Sequence, residues 1–344
     1  MALDLTNAVS LSRMVNKDLP THTWLWNKFF KSEEHDTATI AVDIVSGSNR
    51  LASFKRVGAE SDAVNSDNFT TKQFGPNQIG EKILTKAFDF AKRAPGMQLS
   101  YASGEKTIEE RVAEKLGRDQ RKLINRVWRA IEKMCADALF TDTVNNYDAK
   151  GNLIESFTMG VPSSHKIVKT GNDLWTASTA DPFEQLAEFE VLVSQDSALD
   201  VTDYVLGKNA AKALLKNANA IEKLKINRGT FGVIDPKKPE AGAKFLGYTA
   251  EGANIWWCTE TYENSAGTKT AYVPDDYCLA ISKDIEATVH FGLIDDPKAC
   301  KGGFVGQIFS KTWEDEDVGD WLKVASAPLA IITQPEALVY AKVV

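Results

Sequence analysis

The chain has 344 residues, 43% of them hydrophobic and 25% charged, with a formal net charge of −7. That length fits two or three domain-sized units with apolar content for real cores, and the mild acidity with scattered basic residues argues against tight nucleic-acid binding, which needs a clustered basic face. No stretch approaches the ~20 apolar residues of a membrane helix, and the widely spaced Cys135, Cys258, Cys278 and Cys300 fit neither a zinc site nor a disulfide framework, reading instead as reduced core thiols in a reducing compartment.

The first residues, "MALDLTNAVSLSRMV", lack the basic and apolar regions of a signal peptide. Residues 1–36 read as an arm. Within it "THTWLWNKFFKSEEHD" concentrates Trp24, Leu25, Trp26, Phe29 and Phe30. Two readings stand: a helix docked on its own core, or an arm anchored partly on a neighbouring chain, with Trp24, Trp26, Phe29 and Phe30 as assembly contacts. "TATIAVDIVSG" alternates as a strand. From Gly47 to Gly80 the chain is polar and irregular, which marks a functional extension or disorder. Alternation at Leu51–Phe54 and Asn68–Phe74 suggests a long projecting β-hairpin.

Ile108, Val112, Leu116, Leu123, Val127, Ile131, Met134 and Ala138 keep helical spacing and predict a helix from Thr107 to Phe140. Its length would be ~50 Å at 1.5 Å per residue, with Gly117 as the point of any bend. "YDAKGNLIESFTMGVPSSHKIVKTG" reads as strand, turn, strand, and Asp181 with Pro182 signals a helix start. "DYVLGKNAAKALLKN" is a strand entering a helix. "NIWWCTETY", "TKTAYV", "YCLAIS" and "ATVHFGL" are short strands separated by turn residues. The runs "WLKVASAPLAIIT" and "ALVYAKVV" close the chain as strands, and Pro328 and Pro335 interrupt any apolar anchor there. This order predicts an α+β fold with a central insertion, in which the first and last segments share a domain.

Little in the sequence points to chemistry. His22, His35, His165 and His290 fall in no HExxH pair, and no GxSxG, phosphate loop or GxGxxG is present. Ser163, Ser164 and His165 adjoin, but adjacency in sequence does not build a nucleophile and its base. Glu314, Asp315, Glu316, Asp317 and Asp320 lack the spacing of a calcium loop and read as a solvated acidic loop. No catalytic, cofactor or metal site is therefore expected. A chain with many aromatics, extended arms and edge strands, and no pocket signature, points to a structural protein whose function is its surface.

The segments "SAPLAIITQPEALVYAKVV", Trp313 followed by acidic residues, "NKFFKSE" before "TATIAVDI", "QFGPNQIGEKI", "GNDLWTASTADPFEQL" and "YVPDDYCLAISKDIEATVHFGLIDD" occur in an order that resembles the lambda-type major capsid proteins of tailed bacteriophages, the capsid protein E family. The resemblance implies the Hong Kong 97 type capsid fold. Its parts here would be an N-terminal arm (1–38), an extended loop (44–84), a peripheral domain with a spine helix (85–180 and 311–344) and an axial domain (181–310). It further implies pentamers and hexamers tiling an icosahedral virion shell, assembled in the host bacterial cytoplasm around double-stranded DNA without sequence-specific binding. Implied partners are a separate scaffolding protein, a portal and a decoration protein; no membrane, cofactor or enzymatic activity is implied. Arg50, Lys55 and Arg56 on the loop would pair with acidic segments of a neighbouring subunit, and no Lys–Asn crosslink is expected. The alternative is the shell of an encapsulin-like compartment.

Overall fold

The computed structural model describes residues 23–37, 39–45, 69–86, 108–148, 151–226, 242–264, 267–315 and 319–344. In chain order these form helix α1 (Trp24–Phe29), strands β1 (Lys31–Glu34), β2 (Ile40–Val45), β3 (Phe69–Phe74) and β4 (Ile79–Thr85), and helix α2 (Ile108–Phe140). Strands β5 (Thr143–Tyr147), β6 (Leu153–Thr158) and β7 (Lys166–Val168) precede helix α3 (Pro182–Ser197). Strand β8 (Asp203–Leu206) leads into helices α4 (Lys208–Lys216) and α5 (Ala218–Ile226). The remaining strands are β9 (Ala243–Tyr248), β10 (Asn254–Cys258), β11 (Thr261–Glu263), β12 (Lys269–Ala271), β13 (Tyr277–Ile281) and β14 (Ala287–Phe291), then, after helix α6 (Pro297–Lys301), β15 (Phe309–Asp315), β16 (Gly319–Ser326), β17 (Pro328–Ile332) and β18 (Leu338–Lys342).

The spine helix expected from periodicity is α2, continuous for 33 residues through Gly117. Asp181 caps α3 as its sequence predicts: Oδ1 accepts from the Phe183 and Glu184 amides at 3.1 and 3.3 Å, with Pro182 in the first turn, where its missing N–H costs nothing. Gly207 joins β8 to α4 because nothing larger fits: a Cβ there would lie 2.1 Å from the Pro274 carbonyl oxygen.

A six-stranded sheet in the order β7-β18-β13-β8-β10-β9 separates two cores. Successive side chains on a strand face opposite ways, and this sheet buries both faces. Val205, Trp256, Leu279, Ile281 and Leu338 join the core around α1 and α2. Their neighbours Tyr204, Leu206, Ile255, Cys278, Ala280, Val339 and Ala341 join the core around α3 and α4. Double burial is why "YCLAI" and "ALVYA" are continuously apolar rather than alternating.

Strand pairing crosses the domain boundaries expected from the sequence. β18, assigned to the peripheral domain, lies between β13 and β7 in the six-stranded sheet. β14, assigned to the insertion, pairs with β1 of the arm and with β17. The run "WLKVASAPLAIIT" is two strands: β16 pairs with β15 and β4, and the chain then enters β17 against β14. Pro328 opens β17 at a sheet edge, a position that needs no ladder donor. Of the hairpin expected from Leu51–Phe54 and Asn68–Phe74, the second run contains β3, which pairs with β2 from Ile40↔Phe74 to Val45↔Phe69; Leu51–Phe54 lies outside the described residues. Cys135, Cys258 and Cys278 are buried as expected, but Cys300 is exposed because the short helix α6 turns it outward.

Candidate assembly surfaces

The aromatic arm is fastened to the body of its own chain. Trp24, Trp26, Phe29 and Phe30 are only 3–7% exposed. Trp26 packs on Trp128 of α2 and on Phe291 of β14, with ring centroids 4.9 and 5.9 Å apart. Trp24 meets Trp256 at 5.3 Å. Of the two readings of this arm, these contacts describe docking on its own core. The four aromatics expected to anchor a neighbour are taken up inside the chain, because α1 is too short to stand without burying them.

Two buried carboxylates complete the clasp. The N-terminal residue before α1, Thr23, makes no side-chain cap bond. Glu132 of α2 supplies it from afar: Oε1 accepts from the Leu25 amide at 2.8 Å and Oε2 from the Trp26 amide at 3.1 Å. Burial pushes the Glu132 carboxyl up to about 7, the two backbone bonds opposing that rise and Glu260 adding to it. Asp203 holds Lys28 Nζ at 2.6 Å and accepts from Trp256 Nε1 at 2.7 Å and Asn254 Nδ2 at 3.1 Å. Lys28 also lies 3.8 Å from the Trp256 ring centroid, so its charge is met by both a carboxylate and a π face. Nothing in the local sequence marks Glu132 or Asp203 as partners of the arm. The one available hint is the acid inside the apolar stripe of α2.

The β15–β16 hairpin carries the acidic cluster. Trp313 and Trp321 are directly paired and stack at 6.0 Å with an interplanar angle of 12°. Lys82 sits 4.5 Å over Trp321 and Lys311 5.4 Å over Trp313, so two cations flank the aromatic pair. Glu314 pairs with Asp320 beyond them, and residues 316–318 lie outside the described residues. The same holds for Arg50, Lys55 and Arg56.

Ser163 and Ser164 are exposed while His165 is fully buried, so adjacency does not bring them together. Both His165 nitrogens are engaged, Nδ1 2.7 Å from the Leu338 carbonyl oxygen and Nε2 2.9 Å from Asp196 Oδ2, which ties β18 to α3. An open cleft of about 800 Å³ between α2, β4 and the β11–β12 hairpin is lined by Glu81, Arg126, Arg129, Lys133, Tyr262 and Lys269. Arg126 already pairs with Glu81 at 2.9 Å, and Lys133 with Asp137 one turn along α2.

Solved structures share this arrangement across nearly its whole length. A protein assigned as the capsid protein of a prophage from E. coli CFT073 is 16% identical over 98% of this chain and 99% of its own, with a TM-score of 0.74. A phage-related protein from Bordetella bronchiseptica RB50 is 12% identical, covers 99% and 98%, and has a TM-score of 0.59. The capsid structure of cyanophage P-SCSP1u gives 10% identity, 94% and 89% coverage and a TM-score of 0.50. Among curated proteins none matches in sequence. The fold is thus the Hong Kong 97 type. The family model of the phage major capsid protein E matches residues 7–343. On that fold, with the match running almost from end to end, the chain belongs to the phage major capsid protein E family and is a shell-forming subunit of a virion capsid.

Proposed function

We propose that the chain assembles as pentamers and hexamers into an icosahedral shell around the double-stranded DNA of a tailed phage. The family match over residues 7–343 carries this reading. The net charge of −7 suits it, since an acidic wall repels packed DNA and reads no sequence. The protein acts through its surfaces and without catalysis. Assembly takes place in the host bacterial cytoplasm with a separate scaffolding protein and a portal, and a decoration protein reinforces the finished shell.

In this reading the arm, the extended loop, the peripheral part around α2 and the axial part around the six-stranded sheet keep the roles that the resemblance implies, with β18 contributing to the axial sheet. Trp24, Trp26, Phe29 and Phe30 serve assembly by fixing the arm to its own subunit. Arg50, Lys55 and Arg56 supply the loop's charge toward acidic segments of a neighbour. Reversing all three to Glu is expected to abolish shells while the subunit still folds; normal shells would exclude the charge pairing.

Negative-stain microscopy of the purified chain, alone and co-expressed with its scaffolding protein, tests the function. Capsomer rings or uniform shells are expected. Persistent monomer under both conditions would refute self-assembly. Shells that enclose an enzyme rather than DNA would favour a compartment of the encapsulin kind.

A further inference from the structure

We propose that Glu33, His35 and His290 form a zinc site that fastens the arm strand β1 to β14, with water completing the coordination. The backbone places the three together. Glu33 lies directly opposite His290 in the parallel β1–β14 ladder. His35 follows Glu33 by two residues, which returns its side chain to the same face, and its amide donates to the Phe291 carbonyl oxygen at 2.8 Å. One possible ligand atom from each residue lies within 4.8 Å of the other two.

The separations bracket a metal edge. His35 Nε2 is 2.9 Å from His290 Nδ1; Glu33 Oε2 is 3.6 Å from His290 Nδ1 and 3.9 Å from His35 Nε2. Ligands at 2.0–2.1 Å around tetrahedral zinc stand about 3.3 Å apart, so shifts of a few tenths of an ångström close the site. Two imidazoles and one carboxylate are a donor set zinc accepts with a fourth position left to water. Exposure grades from the buried His290, with a side chain 9% exposed, through His35 at 30% to Glu33 at 56%, so the site has a fixed floor and an open mouth.

Zinc on Nδ1 places the His290 ring proton on Nε2, which is buried without a partner among the described residues. Ligating histidines normally donate that proton, and losing such support costs roughly 10–100-fold in affinity. Affinity is therefore expected near the micromolar range. The sequence offers a signal only in hindsight: an acid-x-His pair on an edge strand, with its third ligand more than two hundred residues away.

Zinc chloride titrated calorimetrically into the chelator-treated, untagged, unassembled chain tests the site. One equivalent with a dissociation constant of roughly 1–10 μM is expected, together with a zinc-dependent rise in melting temperature. His35→Ala should weaken binding by at least ~10-fold and Glu33→Gln measurably, both at solvent-accessible positions that leave the core intact. Absence of saturable binding below about 100 μM in the parent chain overturns the proposal. Undiminished binding by His35→Ala also overturns it, and shows that zinc sits elsewhere.

Discussion

Substituting Glu132→Gln tests how the arm is held. The wild-type carboxyl titrates at about 7 in the folded chain against a reference of 4.5, with burial as the dominant cause. The folded state then binds the proton more tightly than the unfolded state, so this group's stabilising contribution is full below the reference value. It is lost as pH rises through the interval and is level above it. The interval corresponds to about 3 kcal/mol at 1.36 kcal/mol per unit. Glutamine does not titrate. It keeps one acceptor for the Leu25 and Trp26 amides and loses the other, a cost of about 1–2 kcal/mol that does not depend on pH. Urea unfolding of the unassembled subunit at about pH 5 and about pH 8 should therefore show Glu132→Gln less stable than wild type in acid. The two should draw level, or cross, in base. The difference between the profiles should change by about 2–3 kcal/mol. Parallel profiles, within about 0.5 kcal/mol, would refute the raised titration of this carboxyl, and a variant as stable as wild type at both pH values would refute its role as the cap of α1.

Other outcomes follow from single contacts. Asp142 sits at φ 59° after α2, accepts from the Gly160 and Val161 amides at 2.8 Å each and holds Lys166. Asp142→Ala strands those donors and strains the backbone, so a loss of about 3 kcal/mol is expected by chemical denaturation, with Asn, which tolerates that φ, losing distinctly less. Equal losses for Ala and Asn would remove the backbone argument. Gly207→Ala drives a methyl against the Pro274 and Asp275 carbonyl oxygens, and the latter is held by the Asn209 and Ala210 amides at 2.8 and 3.1 Å. Overpacking against fixed backbone should cost about 3 kcal/mol or more, read as a lowered melting temperature and soluble yield; a wild-type melting temperature would show that the β8–α4 junction yields. Mature particles on denaturing gels should run at monomer mass, and a ladder above it would establish crosslinking.

Much of this protein is legible without its tertiary structure. The period of α2, the Asp181-Pro182 start of α3 and the alternation of β2 are local properties, set by side-chain spacing and by the orphan amides of a helix end. The ordered segments from the arm to "SAPLAIITQPEALVYAKVV" carry the family resemblance for the same reason, since each segment keeps its character wherever it lies. Long-range partnership is not local. Leu25 and Glu132 are 107 residues apart, and His35 and His290 are 255 apart. Nor does an apolar strand name its neighbours. The composition of "ALVYAKVV" requires burial on two faces, and both sheets of either expected domain would have satisfied that requirement. Only packing decided that β18 runs between β13 and β7, covered by its own chain, and that the aromatic arm turns inward. Hydrophobic burial is non-directional: the residues state how much surface must leave water, and the fold decides against what.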